Sequence, residues 1–136
     1  MIQENTMKDN ITEKEKQLLL QDLACRLPYQ VVCLVMNGEN GFDKDVLTQI
    51  HNANEVSVGY LSLPITQVRP YLRLMNTMTS RELKEYMSKQ SVINLDDNLK
   101  TYADNWKSID WLTRNMFDYR NMIGKGLALE APPDMY

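Results

Sequence analysis

The fold is decided around the strand candidate Gln30-Val31-Val32-Cys33-Leu34-Val35-Met36, which contains the longest apolar run of the 136-residue chain. Its aliphatic and β-branched side chains suit a pleated, buried surface and predict a strand over Gln30–Met36. Because the run does not alternate with polar residues, we expect both faces of this strand to be covered. The run is far too short to cross a membrane, so we expect no membrane association.

A helix is predicted immediately before this strand. Thr12 and Glu15 have the spacing of a capping box, in which each side chain satisfies a free amide at the helix start. Apolar residues then recur on one helical face. They are Leu19, Leu23 and Leu27, and Pro28 ends the helix.

The elements after this strand are predicted from turns and periodicity. Asn37–Gly41 has the composition of a turn, and Asp43 is expected to cap a short helix that carries Val46, Leu47 and Ile50. Alternation over 56–60 predicts a second strand. Leu127–Ala131 is the candidate for a third strand, because two strands alone are only marginally stable.

Two further helices are predicted in the second half. Thr79 and Glu82 form a capping box, and the buried face of that helix is expected to carry Leu83, Tyr86 and Met87. Apolar residues at spacings of three and four predict helix over 95–117, as one helix or two. Gly124 and Gly126 are expected to end this region.

The predicted fold class is therefore α+β. We expect a single compact domain, 12–136, in which a small, mostly antiparallel sheet of two to three strands packs with three to four helices. Residues 1–11 are expected to form a flexible N-terminal leader. The polar start holds no apolar signal core, so a cytoplasmic protein is expected.

Composition excludes several function classes. The formal net charge is −3, with 15 basic and 18 acidic residues. This balance, without a basic run, argues against nucleic-acid binding, which needs a basic surface to displace counterions. The two cysteines, Cys25 and Cys33, lack CxxC spacing and are expected to be buried and reduced.

No catalytic motif is readable. The single histidine, His51, has no partners at metal-ligand spacing, so no metal site or cofactor is predicted. A Cys33–His51 nucleophile pair would require the fold to join two distant residues, and Cys33 lies where a thiolate is disfavoured. The glycines at 38–41 and 124–126 lack the lysine and spacing of a phosphate loop.

Two charged segments form the candidate ligand-binding site. If Arg69-Pro70-Tyr71-Leu72-Arg73 is extended, Arg69, Tyr71 and Arg73 point to one side and could clamp a carboxylate or phosphate. The second segment is Asp118-Tyr119-Arg120. One hypothesis joins both segments in a polar pocket whose guanidinium groups converge. The other makes them Arg–carboxylate bridges that hold the proline-rich loop and the tail to the core.

The chain also resembles a family of short proteins of unknown function from gut anaerobes and their phages and mobile elements. Three groups of residues carry the resemblance, with variable spacers between them. They are Glu15-Lys16-Gln17-Leu18-Leu19-Leu20 with Arg26-Leu27-Pro28-Tyr29; Arg69-Pro70-Tyr71-Leu72-Arg73 with Met78-Thr79; and Asp110-Trp111-Leu112, Phe117-Asp118-Tyr119-Arg120, Gly126-Leu127-Ala128, Glu130-Ala131-Pro132 and Met135-Tyr136. Leu74 and Asn121 stand where typical members have proline and glycine. The resemblance implies no activity and favours an accessory protein of mobile DNA.

Two functional hypotheses follow. The first is a non-enzymatic interaction protein, whose partner is another protein or a second copy, because aromatic and methionine residues favour interfaces. The second is a small anionic-ligand-binding or catalytic domain that uses the Arg/Tyr/Asp cluster. We favour the first and leave the enzyme question open.

Overall fold

Three α-helices and a six-stranded sheet make up the described part of the chain, which covers residues 10–36, 42–89 and 107–136 of this computed structural model. The helices are α1 (Glu13–Arg26), α2 (Ser80–Lys89) and α3 (107–114). The strands are β1 (Val32–Met36), β2 (Phe42–Ile50), β3 (Glu55–Val58), β4 (Leu61–Pro64), β5 (Val68–Leu72) and β6 (Leu129–Glu130). Most of the predicted leader, the predicted turn at Asn37–Gly41 and positions 95–106 of the predicted long helix lie outside the described residues.

The sheet has the order β4-β3-β2-β1-β5-β6. The four pairings from β4 to β5 are antiparallel, and β6 joins β5 in parallel. The α+β class and a single small domain are therefore confirmed. The expected two to three strands were wrong, since the described residues form six.

The largest local error is β2, which was predicted as a short helix. Its apolar residues Val46, Leu47 and Ile50 fit one helical face, but the chain is extended over nine residues. β2 pairs with β1 along one edge and with β3 along the other. These two ladders satisfy its backbone, so tertiary pairing overrides the local pattern.

The main core lies between α1 and the apolar strand β1. Cys33 and Val35 of β1 are buried, whereas its alternate residues are half-buried, so only one face is fully covered. Leu19 and Leu23 of α1 belong to the same buried cluster. We expected both faces of β1 to be covered. Only the face toward α1 is fully covered, and the other face is covered in part.

Both predicted capping boxes are present. The Glu15 amide donates to Thr12 Oγ1 (3.1 Å) and the Thr12 amide to Glu15 Oε1 (2.9 Å). Thr79 and Glu82 make the equivalent pair at 3.1 and 3.0 Å. These reciprocal bonds satisfy amides that a helix start leaves open, which is why the sequence located both starts.

A second, smaller core holds the C-terminal third. Trp111, Leu112 and Phe117 are buried, and the Trp111 and Phe117 rings stack with centroids 5.7 Å apart. The α3 segment ends before Met116, whose φ is +66°, so the predicted helix end at Gly124 and Gly126 was wrong. The predicted third strand within Leu127–Ala131 is present as β6.

Candidate functional site

A buried ion cluster joins α1 to the C-terminal third. Asp22 and Arg26 are fully buried, and Asp22 accepts from Arg26 Nε at 3.0 Å and Nη2 at 3.2 Å. Arg120 Nη1 donates to Asp22 Oδ1 at 2.7 Å. One carboxylate thus compensates two guanidinium groups, that of Arg26, four residues away in the chain, and that of Arg120, 98 residues away.

Arg26 also binds the backbone at the end of α3 and in the loop after it. Its guanidinium donates to the carbonyls of Thr113 (3.3 Å) and Phe117 (2.8 Å), and its carbon lies 5.3 Å from the centre of the Tyr119 ring. Tyr119 in turn shares a 2.7 Å hydroxyl–hydroxyl hydrogen bond with Thr113. The loop is therefore fixed to α1 by charge-assisted hydrogen bonds, the stronger kind.

Asp22 and Arg26 were absent from the predicted site, although the sequence carries a signal for them. Leu19, Asp22, Leu23 and Arg26 recur at spacings of three, four and seven, which is one helical face. An acid and a base on that apolar face, four residues apart, indicate a buried ion pair. The predicted apolar face contained Leu19, Leu23 and Leu27 but neither Asp22 nor Arg26.

Arg73 of the predicted cluster joins β5 to the loop after α3. Its amide donates to Met116 O (2.7 Å), and the Asp118 amide donates to Arg73 O (2.8 Å). Its side chain donates to Glu82 Oε1 at 2.7 Å and lies 4.1 Å from the centre of the Phe117 ring. This hydrogen bond from Arg73 holds the pKa of Glu82 below its usual range.

The remaining predicted residues are also engaged. Arg69 is fully buried and donates to the carbonyls of Thr66 (2.7 Å) and Val68 (2.9 Å). The Tyr71 ring lies 5.6 Å from Lys44 Nζ, and burial raises the pKa of its phenol. The Asp118 carboxylate accepts from the amides of Met122 (2.7 Å) and Ile123 (2.9 Å).

The two predicted segments, 69–73 and 118–120, contact each other through backbone hydrogen bonds and not through their charged side chains. Arg73 takes Glu82 as its carboxylate and Arg120 takes Asp22, so their side chains belong to separate networks. Arg73 lines one pocket, whereas Asp118 and Tyr119 line another. These contacts favour the hypothesis of structural bridges over that of a single anion clamp.

A pocket of about 560 Å³ opens between α2, α3 and the loops beside them. We call it the α2 pocket. Its apolar wall is formed by Leu74, Met75, Tyr86, Leu112 and Tyr119. Asn76, Asp118 and Asn121 add polar groups. An open pocket of this kind suits an amphipathic side chain better than a compact ion.

Within the part of the chain that the structure describes, much of the apolar face of α2 is exposed. Leu83 is 48% exposed and Met87 59%, so the predicted burial of this stripe was wrong. Tyr86 does pack against the second core, with its ring centroid 5.8 Å from that of Trp111. Because Tyr86 lies three residues after Leu83, and Met87 four residues after it, the exposed stripe borders Tyr86 and continues into the α2 pocket.

The cysteines and the histidine form no nucleophile pair. Cys33 is fully buried, and burial raises the pKa of its thiol, which disfavours the thiolate. Cys25 is exposed, contrary to expectation. His51 Nε2 instead lies 2.7 Å from the hydroxyl of Ser57, which is buried in the sheet.

Within residues 10–36, 42–89 and 107–136, no group of three or more histidine, cysteine, aspartate or glutamate side chains is placed to hold a metal ion. Among the helices in this part of the chain, none combines the length and apolar character needed to cross a membrane. Comparison of the chain with models of known protein families, with curated protein sequences and with solved structures finds no match.

Proposed function

We propose that the chain is a non-enzymatic interaction protein that binds a protein partner through the exposed face of α2 and the adjoining α2 pocket. The observation that carries this proposal is the exposure of Leu83 and Met87, one turn apart on a helix whose other residues, apart from Tyr86, are charged or polar. Exposed apolar patches rimmed by polar residues are typical of interaction surfaces. An amphipathic helix normally buries such a stripe.

The chemistry of the α2 pocket and of the exposed stripe beside it supports the same function. Met75 and Met87 are flexible, polarizable side chains that adapt to different surfaces, and Tyr86 offers a rigid aromatic wall. Aromatic and methionine residues are enriched where proteins meet. A partner that inserts one apolar side chain into the pocket would also cover the exposed stripe.

The anionic-ligand hypothesis receives less support. Arg73 and Arg120 are each paired with a carboxylate, and Arg69 donates to backbone carbonyls, so an incoming anion would have to compete with existing partners. A thermal-shift screen with nucleotides and phosphosugars tests this alternative, since a bound ligand raises the unfolding temperature. The role as an accessory protein of a phage or mobile element rests on the sequence resemblance alone.

The double variant Leu83→Ser/Met87→Ser tests the proposed function. Both side chains are about half exposed, so the thermal unfolding temperature should change little. Quantitative affinity capture from cells that make the protein should recover a partner with the wild type and lose it with the double variant. Ile109→Ser is the matched control, because Ile109 is 44% exposed on α3 and lies outside the α2 pocket. The proposal would be contradicted if Leu83→Ser/Met87→Ser captured the same proteins, in the same amounts, as Ile109→Ser.

A further inference from the structure

The methionines of the described residues differ widely in exposure. Met87 is 59% exposed on α2, whereas Met116 and Met122 are buried in the main core. The other methionines of residues 10–36, 42–89 and 107–136 are half-buried. A reagent in solution therefore reaches the side chain of Met87 more readily than that of a core methionine.

Met87 lies at a position where its polarity affects the proposed interaction. Together with Leu83 it forms the exposed apolar stripe of α2. Its neighbours Lys84 and Ser88 on the helix are polar and exposed. If Met87 became polar, Leu83 would be the only apolar side chain left in the stripe.

Oxidation makes this change of polarity in methionine. The lone pair of the thioether sulfur attacks a peroxide, the O–O bond breaks and an S–O bond forms, while a proton moves to the departing oxygen to give water. The sulfur loses two electrons and the peroxide gains them. Because the sulfoxide is polar whereas the thioether is apolar and flexible, its formation disrupts interfaces that contain methionine.

The fold does not depend on Met87, so oxidation there changes the surface alone. α2 contacts the second core through Tyr86, whose ring centroid lies 5.8 Å from that of Trp111. The Arg73–Glu82 ion pair fixes the first turn of the helix to β5. Met87 belongs to neither of the two core clusters. We therefore expect the oxidised chain to stay folded.

We propose that the exposed stripe of α2 is redox-sensitive, in that a peroxide oxidises Met87 to its sulfoxide and thereby weakens binding of the protein partner. This inference rests on the proposed function and names the regulation of that surface. A methionine sulfoxide reductase reverses the change. The oxygen leaves as water while a dithiol becomes a disulfide, and the apolar thioether is restored.

Peptide mapping by mass spectrometry tests which methionine of the full chain reacts first. The folded protein is treated with hydrogen peroxide, and the sulfoxide at each methionine is measured over time. Met87 should be oxidised at least about tenfold faster than Met116 and Met122, because burial excludes the reagent. In urea, which exposes every methionine, the rates should become equal.

Retention on a phenyl column measures the effect on the surface without any partner. Oxidised wild type should elute earlier than untreated wild type, because its stripe has lost an apolar side chain. Met87→Leu is the matched control, since leucine has a similar volume and no sulfur to oxidise. Cys25 is also exposed to peroxide, but it is present in both proteins, so the difference between them reports Met87.

The affinity capture described for the proposed function tests the control of binding. Oxidised wild type should recover at least about tenfold less partner, since burial of a methionine side chain contributes at least about that much affinity. Oxidised Met87→Leu should retain the partner. Treatment of oxidised wild type with methionine sulfoxide reductases and dithiothreitol should restore capture.

Three results would overturn the inference: core methionines that react as fast as Met87 in the folded chain, an equally earlier elution of wild type and Met87→Leu, or capture that peroxide leaves unchanged or lowers equally in both. The variant Leu83→Ser/Met87→Ser decides the proposed function separately. If it loses the partner while oxidised wild type keeps it, redox control is wrong and the proposed function stands. If it keeps the partner, the proposed function and its redox control both fail.

Discussion

Replacing Asp22 by asparagine tests whether the buried ion cluster holds the fold together. The substitution keeps the size of the side chain and removes its charge. The introduced amide would turn its hydrogens toward Arg26, whose Nε and Nη2 now donate to the carboxylate at 3.0 and 3.2 Å. Two donors would face each other, and the fully buried guanidinium of Arg26 would lose its counter-ion.

The size of the effect follows from burial. Removal of one partner from a buried ion pair costs about 3–5 kcal/mol, because the remaining charge is left uncompensated in a region of low dielectric constant. A domain of this size has a free energy of unfolding of about 5–15 kcal/mol. The variant should therefore lose a large part of its stability, with an unfolding temperature lower by about 10–20 °C.

Urea unfolding followed by tryptophan fluorescence measures this change, since Trp111 lies in the second core. Asp110→Asn is the matched control, because Asp110 and Arg114 also form an aspartate–arginine pair four residues apart but lie at the surface. The control should change stability little, as surface pairs usually do. A loss of less than about 1 kcal/mol for Asp22→Asn, or a loss equal to that of the control, would refute a stabilising role for the cluster.

Two further predictions concern the tip of the β3–β4 hairpin and the tail. Gly59→Ala should destabilise the chain by about 1–2 kcal/mol in the same urea assay, because Gly59 has a φ of +62° and a Cβ there would collide with the Asp45 carboxylate. An unchanged stability would contradict the left-handed turn conformation at Gly59. Tyr136→Phe should cost about 1 kcal/mol, because the phenol accepts from the Val32 amide (2.9 Å) and donates to Tyr71 O (2.8 Å), and thermal unfolding checks this. Burial raises the pKa of Tyr136 above its ordinary value of 10, so its contribution is present below pH 10 and is lost as the pH rises above that value. The fall in unfolding temperature above pH 10 should therefore be smaller for Tyr136→Phe, and equal falls would argue against this role.

The sequence predicted the helix starts well because the chemistry there is local. Thr12 with Glu15, and Thr79 with Glu82, satisfy each other's amides three residues apart, whatever the rest of the chain does. The apolar strand β1 was also predicted from the sequence, since a run of aliphatic residues is stable only where a covered sheet face buries it.

The extent of the sheet was not predictable in the same way. Val46, Leu47 and Ile50 satisfy both a helical and an extended pattern, and only pairing with β1 and β3 decides between them. The extended form considered for Arg69–Arg73 did not reveal that this segment pairs with β1 and β6. Strand pairing depends on neighbours that are distant in sequence, which a local pattern does not identify.

The candidate site shows the same difference between features that local sequence predicts and features that depend on distant contacts. The sequence alone predicted that Arg69, Arg73, Asp118 and Arg120 either connect the tail and loops to the core or bind a ligand, and it placed the two helix starts and the central strand. Only the tertiary structure decided that Arg73 pairs with Glu82 and Arg120 with Asp22, and that α2 leaves Leu83 and Met87 exposed. The physical reason is that the chemistry of a side chain determines which kind of partner it requires. Which partner it contacts depends on the distant segments that strand pairing brings within contact distance.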